Sequence, residues 1–331
     1  MEEVELVIVG AGPTGLFATF CAGLRMIKSV TLEATGKYGG QMSELYPQKI
    51  VYDMQAIPKM RAADIVERLY QQSQMFKNRV ESDSDVTDII LGRDKRFVIE
   101  VNNKQKYVSR AVLICAGIGK FVPNRLNIPG ESDYENKGVF YTVKNVGDFS
   151  DKDVVIMGGG DSAFDYAMQI EPVARSVTIV HHNNFLKAAE KTVEQARSKR
   201  KINIVLNHDA KEIVGDGRAV SRITIADNAT GIKKNLDAGA IVVAIGHQAK
   251  PDAFKSLSLE TEGRYIKVDS SYKTNIDGMY AAGDIANIGS EQKMALLSLG
   301  GGEAYTAINN IKKYLSPTAS LFGGHSTSLN L

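Results

Sequence analysis

The chain has 331 residues, 44% hydrophobic and 24% charged, with 30 glycines and a formal net charge of +2. That length exceeds one ordinary core and suits two domains. The charge is too near zero to point to nucleic acid, and no apolar run approaches the roughly 20 residues that span a bilayer, so neither nucleic acid nor a membrane is expected as a partner.

The start, MEEVELVIVG, passes directly into a strand pattern. It has no basic stretch followed by an apolar one, so nothing suggests export, and a cytoplasmic location is expected. Residues 4–9 read as an apolar strand, followed by Gly10-Ala11-Gly12-Pro13-Thr14-Gly15 and a helical run, LFATFCAGLRM. A second strand, SVTLE, ends at Glu33. This is the dinucleotide-binding fingerprint in its required context. Gly10 permits the tight turn, Gly12 leaves room for a pyrophosphate, and Gly15 lets the helix pack on the strand. The helix N-terminus offers free N–H groups to phosphate. Glu33 is placed to accept hydrogen bonds from ribose hydroxyls.

Further along, the pattern predicts a helix over 61–77, strands at 86–91, 96–101 and 107–108, and a strand VLICAG at 112–117. The fingerprint then recurs: DVVIM at 153–157, Gly158-Gly159-Gly160-Asp161-Ser162-Ala163, a helical run, and a strand SVTIV ending at Val180. Glu33 lies 23 positions after Gly10, and His181 lies 23 positions after Gly158. Histidine therefore stands where the first unit has its ribose-binding carboxylate. The punctuated strands at 112–117 and 240–251 read as the entry and exit of an inserted domain. A short strand at 265–268, the segment NIDGMYAAGDIANI at 275–288 and a helical stretch to Leu315 complete the pattern. The expected fold is α/β: two Rossmann-like three-layer dinucleotide-binding domains, the second inserted in the first. The boundaries would be 1–116 and 246–331 for an FAD-binding domain and 117–245 for an NAD(P)-binding domain. FAD in one and a nicotinamide nucleotide in the other is the pairing that does chemistry, because a hydride can pass from nicotinamide to flavin.

Cys21 and Cys115 are the only cysteines; they form no Cys-x-x-Cys pair and read as buried thiols. Among the histidines only His181 and His182 are close, and adjacent residues rarely share a metal, so no metal site is expected.

These residues resemble the thioredoxin-reductase-like ferredoxin–NAD(P) reductases over essentially the whole chain. The resemblance rests on GAGPTG at 10–15, KYGGQMSELYPQKIVYDMQAIPK at 37–59, CAGIGKFVP at 115–123, GGGDSAFDYA at 158–167, AAGDI at 281–285 and HSTSL at 325–329. It implies FAD contacts at Glu33, Gln41, Tyr46, Val86, Phe121, Asp284 and Thr327, with Gly10, Gly12, Thr14 and Gly15 along the pyrophosphate. It implies Tyr46 on one face of the flavin ring and His325 on the other, with Ser326 and Thr327 bonding near the ring. At the second fingerprint, Gly158, Gly160, Asp161, Ser162, His181, His182 and Lys187 would hold the nicotinamide nucleotide. It also implies a homodimer and an acceptor that is ferredoxin or another one-electron carrier.

Two departures matter. Thioredoxin reductases of this architecture carry a Cys-x-x-Cys before the second fingerprint; here the stretch VFYTVKNVGDFSDKDVVIMGGG has no cysteine. Relatives specific for NADP have an arginine pair after the first histidine; here the segment is His181-His182-Asn183-Asn184-Phe185-Leu186-Lys187. The resemblance favours NADP(H), and NAD(H) stays open. The basic cluster Lys187, Lys191, Arg197, Lys199, Arg200 and Lys201 reads as a solvated helix face, with an acidic ferredoxin as the alternative occupant. The leading expectation is an FAD-dependent ferredoxin–NADP reductase. The alternatives are a flavoprotein reducing quinones, dyes or oxygen, and a non-catalytic sensor of nucleotide redox state.

Overall fold

A computed structural model describes residues 1–117, 119–250, 256–289 and 293–324. The chain divides into two units, Met1–Phe121 with Ala249–Leu331, and Val122–Gln248. The first is therefore built from two separated stretches of sequence and the second from one.

The first unit holds a seven-stranded sheet. Its order is Arg79–Glu81, Ser29–Leu32, Glu2–Val9, Lys104–Ile114, Phe97–Val101 and Val86–Leu91, and Met279–Ala281 pairs with Lys104–Ile114 as well. Glu2–Val9 is parallel to both neighbours, with Val7 opposite Val30 and Val112. Successive residues of a strand point to opposite faces, and here both faces are covered. Val7 and Val9 join the cluster with Ile89, Phe97 and Met279; Leu6 and Ile8 join the helices Pro13–Leu24 and Leu297–Leu315. This is why the last four residues of the strand, Leu6–Val9, are all apolar rather than alternating.

Several elements differ from the sequence pattern. The expected strands at 107–108 and 112–117 are one strand, Lys104–Ile114. Ser109 does not interrupt it, because its buried hydroxyl is satisfied locally by the Ala111 carbonyl at 2.9 Å. The helix expected over 61–77 is Ala62–Ser73, and the C-terminal helix begins only at Leu297.

The second unit has a five-stranded parallel sheet in the order Val139–Phe140, Ala240–Val243, Asp153–Met157, Ser176–Val180 and Ile202–Val205. The helices Asp161–Ile170 and Glu190–Arg197 follow its second and third chain-order strands. A three-stranded antiparallel sheet, His208–Gly215, Val220–Asp227 and Lys233–Asp237, precedes the return strand Ala240–Val243. The same sequence of parts occurs in the first unit, where an antiparallel meander from Val86 leads into the strand beside Glu2–Val9. Both units are Rossmann-like. Among the described residues no helix is long and apolar enough to cross a membrane, and no group of three or more His, Cys, Asp or Glu could hold a metal ion.

Candidate functional site

In the first unit, three glycines of one turn serve for three different reasons. Gly10 has φ +100°, and a Cβ there would lie 2.6 Å from the Cys115 carbonyl oxygen. A Cβ on Gly15 would lie 1.8 Å from the Gly10 carbonyl oxygen, so glycine alone lets the helix Pro13–Leu24 sit against the turn. At Gly12 the nearest atom to an added Cβ is the Gly40 Cα at 3.9 Å. Its bare Cα faces open space.

That space is a cavity of about 720 Å³ lying wholly in the first unit. Of the residues singled out from the sequence, Gly10, Gly12, Thr14, Glu33, Gln41, Tyr46, Val86 and Asp284 line it. Glu33 is 7% exposed. Its Oε2 accepts from the Ala11 N–H at 2.9 Å and its Oε1 from the Thr35 N–H at 3.1 Å. The Thr35 hydroxyl is 3.1 Å from that Oε1 but 2.8 Å from the Lys37 carbonyl, which takes its single proton. A carboxylate offers about four acceptor sites, so two remain for donors on a ligand.

On the opposite segment of sequence, Gln41 Nε2 donates to Asp284 Oδ2 at 3.0 Å. Burial, and then the charges of Asp284 and Asp53, push the Tyr46 phenol above its ordinary pKa, so it stays protonated. The turn carrying Asp284 packs tightly on the first fingerprint: a Cβ on Gly283, at φ +81°, would lie 2.8 Å from Thr14 Oγ1. Sequence reasoning missed what holds this turn. Glu303, 8% exposed on the C-terminal helix, accepts from the Gly283 N–H at 2.7 Å and pairs with the Lys293 ammonium. Helical spacing was the available signal, since Glu303 shares the buried face of Ala304, Ala307 and Ile311. Residues 49–53 also line the cavity.

The second unit has its own cavity of about 500 Å³, lined by Gly158, His181 and His182 together with residues further along the chain. Gly158 repeats the constraint on Gly10: a Cβ would lie 2.3 Å from the Ala244 carbonyl oxygen. Around Gly160 nothing stands within 4 Å of an added Cβ. His181 is 4% exposed, and neither ring nitrogen has a hydrogen-bond partner among the described residues. Burial, and then the neighbouring His182 and Lys187, hold its pKa below the ordinary histidine value, against a weaker opposing pull from the Phe185 backbone. Gly160, Asp161, Ser162 and Lys187 are not in the lining. Asp161 instead accepts from the Ala189 N–H at 2.9 Å, and the Lys187 N–H donates to the Gly159 carbonyl at 2.9 Å. These bonds tie the loop after the second strand to the glycine turn.

The sequence profile of the pyridine nucleotide-disulphide oxidoreductases matches residues 4–309. A ferredoxin–NADP reductase of Picrophilus torridus is 49% identical over 100% of both chains. Ferredoxin–NADP reductase 2 of Sulfolobus acidocaldarius is 39% identical over 99% of this chain and 98% of its own. The chain belongs to the pyridine nucleotide-disulphide oxidoreductase family, among its ferredoxin–NADP reductases. The fold is shared with solved thioredoxin reductases. That of Lactococcus lactis is 23% identical with a TM-score of 0.79, covering 95% of this chain and 99% of its own. That of T. acidophilum is 24% identical with a TM-score of 0.79, covering 96% and 100%.

A disulphide oxidoreductase needs a dithiol, and this member of the family has none. Cys21 and Cys115 are both free and buried. Burial pushes the Cys21 thiol up to about 12; burial, with a lesser push from Glu303, raises Cys115 further. Neither is a thiolate near neutral pH, so neither is a nucleophile. Phe121 lies in the strand Lys120–Pro123; its side chain is outside the described residues, as are His325, Ser326 and Thr327 entirely. In the basic cluster, Lys199 sits 3.4 Å from Glu171 and Lys201 donates to the Ala174 carbonyl at 2.8 Å, so part of that charge serves the second unit's own packing.

Proposed function

We propose that this chain is an FAD-dependent ferredoxin–NADP reductase, working as a homodimer, with FAD in the first unit and NADP(H) in the second. The observation that carries the reading is the pair of cavities, each bordered by a glycine turn that tolerates no Cβ at Gly10 or at Gly158, in a chain with no dithiol. Bound FAD would accept a hydride from NADPH and release electrons singly to an iron–sulfur acceptor.

The residues fit that cofactor. Gly12 leaves the backbone bare for a pyrophosphate, and the N-terminus of Pro13–Leu24 turns its N–H groups toward it. Glu33 has two acceptor sites left for the adenosine ribose. Gln41 orients Asp284, which would accept from a ribityl hydroxyl. Tyr46, protonated and half-buried, offers a flat face to the isoalloxazine ring, with stacking contributing on the order of 1 kcal/mol beyond burial. Val86, which lines the same cavity, would contact the cofactor. His325, Ser326 and Thr327 are proposed to cover the other ring face on the family resemblance alone. In the second unit, the lack of a carboxylate at position 181 removes the group that would repel a 2′-phosphate, which supports NADP over NAD. Homodimerisation is supported by the resemblance and by the exposed apolar side chains of Met294 and Leu299, which a partner would cover.

The test is stopped-flow mixing of the FAD-loaded protein with NADPH and with NADH, followed by reoxidation with a purified ferredoxin. Fast bleaching by NADPH and ferredoxin-dependent reoxidation are expected. Reduction without transfer to ferredoxin, but with fast transfer to quinones or oxygen, would replace the acceptor; no reduction by either nucleotide would remove the enzyme reading.

A further inference from the structure

The two units repeat each other at the level of single backbone hydrogen bonds. The Gly10 N–H donates to the Leu32 carbonyl at 2.8 Å, and the Gly158 N–H to the Val180 carbonyl at 2.9 Å. The Glu33 N–H donates to the Glu81 carbonyl at 2.8 Å, and the His181 N–H to the Val205 carbonyl at 2.9 Å. The Ser84 N–H donates to the Glu33 carbonyl at 2.8 Å, and the His208 N–H to the His181 carbonyl at 3.1 Å. Even the irregularities correspond. The antiparallel register shifts between Val86 and Asp88 in the first unit and between Ala210 and Glu212 in the second. Each shift makes one bulged residue, Thr87 in one case and Lys211 in the other.

This correspondence aligns the two sites residue by residue. Glu33 answers to His181, Ala34 to His182, Ser84 to His208, Val86 to Ala210 and Thr87 to Lys211. The frame is the same, but a carboxylate, a methyl group and two hydroxyls have become three imidazoles and an ammonium. All four nitrogen-bearing side chains line the 500 Å³ cavity. Bulges often re-aim a side chain beside a functional site, and this one carries the lysine. Lys211 is only loosely held, 3.5 Å from Asp209, and 43% exposed on a flexible stem. His208 Nε2 is 4.0 Å from Asp227. Arg125, also in the lining, is tied at 2.6 Å to Glu135. Lys211 is therefore the ammonium best able to turn to an anion.

We infer that Lys211 and His208 are specificity-determining residues that, with His182, bind the 2′-phosphate of NADP from the bulged start of the strand His208–Gly215. The inference rests on reading the second unit as the nicotinamide-nucleotide site. It supplies the positive charge that the segment after Val180, lacking an arginine pair, does not provide. Chemically, the ligand recognised is an adenosine ribose carrying a phosphate, as against the same ribose carrying a hydroxyl.

The test uses the FAD-loaded full chain and titration calorimetry with 2′,5′-ADP and 5′-AMP, which need no turnover. The parent should bind 2′,5′-ADP more tightly. Lys211→Gln should reduce that preference roughly 10-fold, the scale of one charge-assisted hydrogen bond, with 5′-AMP affinity unchanged. Lys211→Arg should restore most of it, and His208→Gln should reduce it by about 3-fold. The ratio of KM values for NADPH and NADH should follow the same order. A preference that survives intact in Lys211→Gln overturns the inference while leaving the site in place. A parent that binds both nucleotides equally also overturns it; a parent that binds neither removes the nucleotide site and the inference together.

Discussion

Replacing Glu33 by alanine is the sharpest probe of the first cavity. The carboxylate is 7% exposed and accepts from the N–H groups of Ala11 and Thr35 while keeping two acceptor sites open to the proposed ribose. Removing it has two separable costs. Hydrogen bonds to a charged group contribute about 1.5–3 kcal/mol. At 1.4 kcal/mol per decade this is a loss of roughly 10- to 100-fold in FAD affinity. The second cost falls on the empty protein. Ala11 is fully buried, and its N–H loses its acceptor, which costs about 1–3 kcal/mol of stability. Titration of the apoprotein with FAD, followed by quenching of flavin fluorescence, measures the first; urea unfolding of the apoprotein measures the second. Glu33→Gln keeps one carbonyl acceptor and should fall between. An alanine variant with full FAD occupancy and parental affinity would take Glu33 out of the site.

The double variant Cys21→Ser, Cys115→Ser should reduce ferredoxin at close to the parental rate; loss of transfer in a folded, FAD-loaded sample would reveal a thiol step. Lys293→Met leaves the Glu303 carboxylate buried without its cation, a change that costs about 3–5 kcal/mol, and it should weaken FAD retention by loosening the Gly283 turn; unchanged melting temperature and flavin content would refute this. The unfolded chain gains a proton at the ordinary histidine pKa of about 6.5, whereas His181, with its lowered pKa, stays neutral until lower pH. Stability should therefore fall on acidification below that value, and fall less in His181→Asn, as compared by urea midpoints at two pH values. Truncation after Gly324 removes His325, Ser326 and Thr327; faster flavin reoxidation by oxygen and a changed visible spectrum are expected, and an unaltered spectrum and oxidase rate would exclude the tail from the ring.

Both glycine turns were legible because each glycine answers a steric demand that sequence spacing records. The same spacing placed Glu33 and His181 at equivalent ends. Gln41 and Asp284 were reached only through the family resemblance, since no local pattern links residues so far apart. The antiparallel sheet from His208 to Asp237 went unread. Its buried Ile223 and Ile225 alternate with charged and polar neighbours, which is itself a strand signal, but the strands are short and their charged edges hide the sheet they form. The wall at His208 and Lys211 was hidden for the same reason. Lys293 and Glu303 were not singled out, because what they hold is a turn 20 residues before Glu303.

The interrupted first unit has a consequence for how the chain is made. Its sheet is completed by Met279–Ala281, and the face formed by Leu6 and Ile8 is closed by the helix Leu297–Leu315. Both are synthesised after the whole of Val122–Gln248. Domains fold as units while the chain emerges. The second unit, contiguous in sequence, can therefore acquire its native structure during translation, whereas the first 121 residues must wait with one sheet face covered only in part, by the helix Pro13–Leu24. Birth order and folding order are reversed. A nascent chain halted once residue 248 has cleared the ribosome should already bind 2′,5′-ADP, while FAD binding waits until Leu315 has emerged.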